Sequence, residues 1–309
     1  MQDLFTGKPT CIRGRTLPNA AQRGALQHDH ERRLAALARL SAAASSVGVA
    51  TDPDDDLVLW REDELSLLAG ADPIWAEFVA SIEAFRELAP IVPLELFGLV
   101  PDADDMFGDG SPRLRRIGGG VEAWAFLAED ESVYKFYLPR EGGRIGGSFS
   151  FRRGEEAFIY AEAKGGSYRD VFEKLLLINA LGGMPTEVIG VSPEGVVIAK
   201  QTLGERVADG IDVTPLLPLE LVPIPSRFLR AHRDHPRLSF VADTTWFVAD
   251  THEKNLAYDA EGKVRVIDLL AARWPHALSA VEPVLTDWIR RARIDPGVSV
   301  LAPARDDEL

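Results

Sequence analysis

The stretch VADTHEKNLAYDAEGKVRVIDLL, Val248 to Leu270, constrains the fold more than any other part of the chain. Two short apolar runs, Asn255–Tyr258 and Val264–Leu270, flank Asp-Ala-Glu-Gly, which predicts a β-hairpin with a four-residue turn ending at Gly262. Its acids stand where a plain hairpin has no use for them. Asp250 and Asn255 bracket the loop before the first strand, and Asp268 ends the second among Val266, Ile267, Leu269 and Leu270. Burying a carboxylate without a partner is costly. Asp268 therefore either meets a hydrogen-bonding partner or holds a metal.

The strands before this hairpin follow the same grammar. After Pro112, RLRRIGGGVEAWAFLAEDESVYKFYLP predicts a strand before Gly118, another around Ala123–Leu127, and a third over Ser132–Leu138. Gly118, Gly119 and Gly120 join the first two. They either make a bulged hairpin or expose backbone N–H groups to an anion. Alternation puts Val133 and Lys135 on one face of the third strand, Tyr134 and Phe136 on the other. Lys135 either faces solvent or has a specific partner. Pro139–Gly166 is basic and Gly-rich, an ordered insertion or a mobile flap. From Tyr168, YRDVFEKLLLINALGG predicts a helix with Phe172, Leu175, Leu176 and Asn179 inward, Glu173 beside them and Gly182 as its stop. MPTEVIGVSPEGVVIAKQTLGE predicts a hairpin whose second strand ends at Gln201. Four prolines between Asp212 and Arg227 forbid a continuous helix, Ser226–His232 reads as a short one, and TTWFVAD is a strand. Pro283 starts a last helix with Leu285, Trp288, Ile289 and Ala292 inside.

The N-terminal third is helical in pattern. The first thirty residues read as loosely ordered, and ERRLAALARLSAAASS, from Glu31, lines up Leu34, Leu37 and Leu40. A second helix has Asp72 as N-cap, Pro73 first, and a stripe of Trp75, Phe78, Val79, Ile82 and Phe85, ended by Pro90 and Pro93. The acidic runs Asp52–Asp56 and Asp102–Pro112 read as solvated loops, neither having the ligand order of an EF-hand. The second marks a boundary.

Bulk properties exclude several classes. A formal net charge of −14 argues against gripping nucleic acid, which needs clustered Lys and Arg. It also means that a bound anion needs local cations or a metal. The single cysteine, Cys11, makes no internal disulfide, and no signal peptide or membrane-spanning run is legible, so a cytoplasmic location is expected. The terminal DDEL, without a signal peptide, reads as chance.

Taken in order, these elements resemble the protein-kinase-like phosphotransferases. The sequence is similar, more closely, to the kinase domain described in phage and prophage polyvalent proteins, through GGGVEAWAF, VYKFY, YRDVFEKLLLINALGG, VVIAKQ, ADTHEKN and VRVIDL, over Arg113–Pro275. The resemblance implies an α+β, two-lobed fold, with an N-terminal helical extension (1–112), an antiparallel-sheet lobe (113–201) and a reduced, mostly helical C-terminal lobe (202–309). It implies ATP and Mg2+ as cofactors and transfer of the γ-phosphoryl group to a hydroxyl of a protein or small molecule. Gly118, Gly119 and Gly120 would cover the phosphates. Lys135 would contact them, paired with Glu173, or with Glu162 or Glu156. The backbone from Lys200 to Leu203, including Gln201, would meet adenine. Asp250 would be the catalytic base, and Asn255 and Asp268, thirteen residues apart, would hold the metal.

The sequence departs from that pattern in places. Val248 and Ala249 precede Asp250 where regulatory kinases carry an Arg, Leu-Leu follows Asp268 in place of Phe-Gly, no APE motif follows, and 41 residues remain after Asp268. Control by activation-loop phosphorylation is therefore not expected. Two alternatives stay open: a kinase-fold AMP-transferase or nucleotide-binding pseudokinase, and a non-catalytic α+β interaction protein.

Overall fold

The computed structural model describes residues 19–48, 73–100, 107–120, 122–140, 144–154, 158–225, 228–231, 236–241 and 243–297. They form a mixed α+β architecture of mostly antiparallel sheets and five α-helices. A six-stranded antiparallel sheet is built from β1 (Gly110–Ser111), β2 (Leu114–Gly119), β3 (Ala123–Ala128), β4 (Ser132–Tyr137), β7 (Thr186–Val191) and β8 (Val197–Thr202), in the order β1-β2-β3-β4-β8-β7. Between its halves the chain makes the hairpin β5 (Gly147–Arg153) and β6 (Ile159–Gly165), then helix α3 (Tyr168–Ala180). After β8 come β9 (Glu205–Arg206), β10 (Val222–Pro223), β11 (Leu229–Ala231), β12 (Arg237–Val241), β13 (Thr244–Ala249), β14 (Leu256–Tyr258), β15 (Val264–Val266) and β16 (Leu270–Arg273). A second sheet has the order β10-β12-β13-β16, and α4 (His276–Ser279) and α5 (Pro283–Ile294) close the described chain.

Both faces of the six-stranded sheet are covered. Phe126, Phe136 and Ile198 pack under Leu94, Leu99 and Phe107, while Tyr137, Val188, Val197 and Ala199 meet Phe172 and Leu175 of α3 and the helices α1 (Ala20–Ser46) and α2 (Pro73–Arg86). Helix α3 is the hinge of the packing. Its Phe172 and Leu175 join this cluster, while Leu177, Ile178 and Leu181 join Trp246, Val248, Leu256, Val266 and Leu269 from the second sheet and its hairpin. A helix covered on every side is a core helix. Truncating Phe172, fully buried beside Phe85, to Ala should cost about 3–5 kcal/mol. Ser167 and Asp170 cap the helix start reciprocally, and Gly182, at φ +66°, stops it as the sequence predicts.

Several expectations are corrected. Helix α1 begins at Ala20, eleven residues before Glu31, because Asn19 and Gln22 form a capping box. Its polar residues point inward: His30 bonds the Thr186 carbonyl (3.1 Å), Arg33 that of Leu88 (2.7 Å), and Gln27 accepts from Asn179 (2.7 Å). Polar groups used this way hide a buried face from a hydrophobic pattern. The α2 helix ends at Arg86, ahead of Pro90. Phe107, in the acidic run read as solvated, is buried against Phe126 and Phe136. Pro139–Gly166 holds an ordered hairpin, its Phe149 set edge-on to Phe247 at 4.7 Å. Leu229–Ala231, expected in a short helix, is a strand parallel to β6. The stretch 202–309, expected to be mostly helical, is instead mostly strands in its described residues, β9 to β16, with α4 and α5 as its α-helices. Cys11, the run Asp52–Asp56, Asp72, Asp102–Met106, Glu156, Ser226, His232 and the tail from Ala302 lie outside the described residues.

Candidate functional site

The opening hairpin forms as β14 and β15, with Leu256 opposite Val266 and Gly262 at φ +76° in the turn. Asp259 holds that turn: it accepts from the N–H groups of Glu261 and Lys263 and pairs with Arg265 at 2.7 Å. Asp268, however, does not end a strand. It lies in the link from β15 to β16, two residues past Val266.

That link is what brings the acids together. Strands β13 and β16 pair with Ala249 opposite Leu270, so Asp250 leaves the sheet at the edge where Asp268 and Leu269 enter it. Asp250 has φ +64°, which a residue with a Cβ adopts at a cost. Asn255 holds it there, donating from Nδ2 to the Asp250 carbonyl (2.6 Å) and to Oδ2 (3.1 Å). The main-chain oxygen of Asn255 accepts from Ile267 N (2.9 Å) and Asp268 N (3.4 Å). One residue thus fixes both acids. His252 Nδ1 accepts from Lys254 N, which leaves the Nε2 proton facing Asp250 Oδ1 at 3.4 Å.

Around Asp268 stand two lysines. Lys135, on the α3 side of β4 and buried, donates to the Ile267 carbonyl at 2.5 Å and lies 3.8 Å from Asp268 Oδ2. Lys174, from the middle of α3 and 1% exposed, is 3.2 Å from Asp268 Oδ1 and 2.5 Å from Glu122 Oε2. Its Nζ sits 4.9 Å over the Tyr137 ring. Gln201 completes the hub, donating to the Ile267 carbonyl (3.1 Å) and to Thr186 Oγ1 (2.7 Å). Burial pushes the Lys135 ammonium below its ordinary pKa, and Lys174 adds to the effect, against the pull of Asp268. Burial would lower Lys174 too, but Asp268 and Glu122 hold it well above its ordinary value. Burial would raise Asp268; the two lysines hold it below the usual carboxylate range. Burial lifts the pKa of the Tyr137 hydroxyl, which has no hydrogen-bond partner among the described residues.

The structure therefore brings Lys135, Asp250, Asn255, Gln201 and Asp268 together, with the β2–β3 turn adjoining through Glu122; Gly118 and Gly119, expected between the strands, pair with Ala125 and Trp124 inside a bulged hairpin, and only Gly120 lies in the turn. Gly119 has no room for a Cβ, which would strike the Trp124 ring, and Gly120 N donates to Ala123 O to close the turn. Leu203, half-buried, lies between β8 and β9. Glu173 is elsewhere. Its carboxylate meets Arg169 (3.0 Å) and Arg273 (2.7 Å) and does not pair with Lys135. Glu162 pairs with Arg152 on the surface, and Glu156 is outside the described residues. Sequence reasoning missed Lys174 and Glu122. Both left a trace: a lysine in a helix with apolar residues on every side, and a carboxylate just after a glycine triplet.

Among the described residues no three His, Cys, Asp or Glu side chains converge as a metal site. Asn255 and Asp268 offer two hard oxygen donors, since the Asn255 amide nitrogen is committed to Asp250 and its oxygen is the atom that would face a metal. Such a set fits a magnesium ion that arrives with phosphates and keeps its waters, not one caged by protein. Clefts of about 220 Å³ beside Leu114 and Leu127 and about 200 Å³ between α1 and α2 lie away from this cluster, and the site is defined by its charges. No described helix is long and apolar enough to cross a membrane. Compared with protein families, curated proteins and solved structures, the chain finds no match.

Proposed function

We propose that the chain is an ATP- and magnesium-dependent phosphotransferase of protein-kinase-like design, with the six-stranded sheet as its nucleotide lobe and the N-terminal helices as packing for α3. One observation carries the reading: Lys135 reaches across 132 positions of sequence to the Ile267 carbonyl beside Asp268, while Asn255 ties the same link to Asp250. Phosphoryl transfer gains mostly from positioning and charge neutralisation. Lys135 supplies a cation to the phosphates. Asp268 and the Asn255 amide oxygen would hold magnesium, which when bound offsets phosphate charge. Asp250 accepts the proton of the acceptor hydroxyl as its oxygen bonds to the γ-phosphorus and the bond to ADP breaks. Asn255 and His252 orient that carboxylate. The Gln201 side chain is committed inward, which leaves the backbone around Leu203 for adenine. The acceptor is a hydroxyl of a protein or small molecule; neither nucleic acid nor membrane is part of the reading.

The test combines binding and transfer. Wild-type protein should gain thermal stability with ATP and magnesium together, and label from the γ-phosphate should move to product. Asp268→Ala should abolish the metal-dependent shift; Asp250→Ala should keep it and abolish transfer. Full activity in both variants would sink the assignment, and no shift with intact protein leaves a non-catalytic interaction protein. A second reading, nucleotide binding without phosphoryl transfer or with AMP transfer, is favoured by one feature: Asp268 already shares its oxygens with Lys174 and Lys135. Label from the α-phosphate in product separates AMP transfer from both other cases.

A further inference from the structure

Lys174 and Glu122 have no part in the reaction as proposed, yet they make the closest ion pair of the cluster, at 2.5 Å. A lysine that is 1% exposed in the middle of a core helix needs an anion beside it. Two are provided, and they differ in kind. Asp268 is fixed by the Leu269 N–H and by the Asn255 carbonyl on its own N–H. Glu122 hangs from the short turn between β2 and β3, two residues after Gly120. Its carboxylate uses space left open by Gly147 opposite it, where a Cβ would crowd Glu122 Oε1 and Leu270 Cδ1. The Lys174 and Lys135 ammoniums flank opposite oxygens of one carboxylate, and the carboxylates, 22% and 28% exposed, form the open side of the cluster. Formal charge balances there, two against two, so an anion that brings no cation of its own enters favourably only if a carboxylate leaves.

We propose that Lys174 and Lys135 form a seat for a di- or triphosphate, and that Glu122 is its internal occupant, displaced with the glycine turn when the phosphates bind. The helix thus contributes a second phosphate cation, and the carboxylate facing it comes from the loop that covers the ligand. The proposal deepens the nucleotide reading and rests on it for the identity of the natural ligand, but the seat is testable without nucleotide chemistry. A permanent structural pair is the rival account.

The experiment is calorimetric titration of full-length wild type, Glu122→Gln and Glu122→Gln/Lys174→Met with metal-free tripolyphosphate at low salt, and of the first two with ATP plus magnesium. Glu122→Gln keeps the size and a hydrogen-bond acceptor and removes the competing charge. It should bind tripolyphosphate on the order of tenfold more tightly than wild type. The added Lys174→Met should abolish that gain, and Lys174→Arg in the same background, which keeps a cation, should retain it. Thermal melting without ligand shows which variants are folded. No tripolyphosphate binding by folded Glu122→Gln overturns the seat. Affinity equal to or weaker than wild type overturns Glu122 as its occupant. If tripolyphosphate binds as expected but ATP with magnesium binds neither protein, the seat stands and the phosphotransferase reading fails.

Discussion

The Asn255 amide donates twice to Asp250, once to its carbonyl at 2.6 Å and once to its carboxylate at 3.1 Å. These bonds hold a non-glycine residue at φ +64°. Asn255→Ala removes both donors and should cost about 1–3 kcal/mol in urea unfolding. Asn255→Asp should be worse, because it sets a carboxylate against Asp250 Oδ2. Adding Asp250→Gly to the alanine variant should recover part of the loss, since glycine adopts positive φ without penalty. A variant Asn255→Ala as stable as wild type would show that the left-handed turn is held by other contacts.

Lys174 sits between Glu122 and Asp268 and is the member of the cluster most withdrawn from solvent. Lys174→Met leaves two carboxylates opposed only by Lys135. Because both retain some contact with water, the cost should fall near the lower end for a broken buried pair, about 3 kcal/mol. Asp268→Asn alone should cost less. In the double variant the two effects should fail to add, with a coupling of roughly 1–3 kcal/mol. Additive losses in denaturant unfolding would mean that the 3.2 Å contact contributes nothing.

Glu173, which the resemblance casts as the partner of Lys135, instead receives Arg169 and Arg273. Both arginines are about half exposed and can return to water, so Glu173→Gln should cost only about 1 kcal/mol. It should leave the ATP and magnesium titration unchanged. Loss of nucleotide affinity in this variant with stability intact would restore Glu173 to the site.

Much of this was written in local pattern. The strands β3, β4, β7 and β8 are short, mostly apolar runs separated by turn residues, and α3 carries both its cap and its stop. The Asp250–Asn255–Asp268 spacing was legible because one hairpin spans it. What stayed hidden depends on rotation and on distant partners. One residue along a helix turns the side chain by about 100°, which sends Glu173 toward β16 and Lys174 into the cluster. The start of α1 was missed because His30, Arg33 and Gln27, polar by type, spend their hydrogen bonds on groups from other elements.

His30 has a consequence for acid stability. It is fully buried, its Nε2 proton bonds the Thr186 carbonyl, and its Nδ1 has no partner among the described residues. A second proton would put an unsatisfied N–H and a positive charge beside Arg33, with only Asp29 and the Thr186 carbonyl in its favour. Burial first and Arg33 second push its pKa down to about 4. In the unfolded chain it titrates near 6.5. Between those values the unfolded chain binds the proton and the folded chain does not, so falling pH favours unfolding. The stability is fully present above about pH 6.5 and is lost as pH falls toward 4, by roughly 3 kcal/mol. The lowered carboxylates Asp268, Asp130 and Asp259 begin to lose their contributions only as pH falls through the ordinary carboxylate range, at the acid end of this window. His276, lowered by burial and by Arg293, acts with the same sign and is the control. Urea unfolding at steps from pH 7.5 to 4.5 should therefore give a steep decline for wild type and His276→Gln and a much shallower one for His30→Gln. The outcome that refutes this is a His30→Gln profile parallel to wild type, which would mean that the imidazole is protonated in the folded chain and that its Nδ1 has found an acceptor.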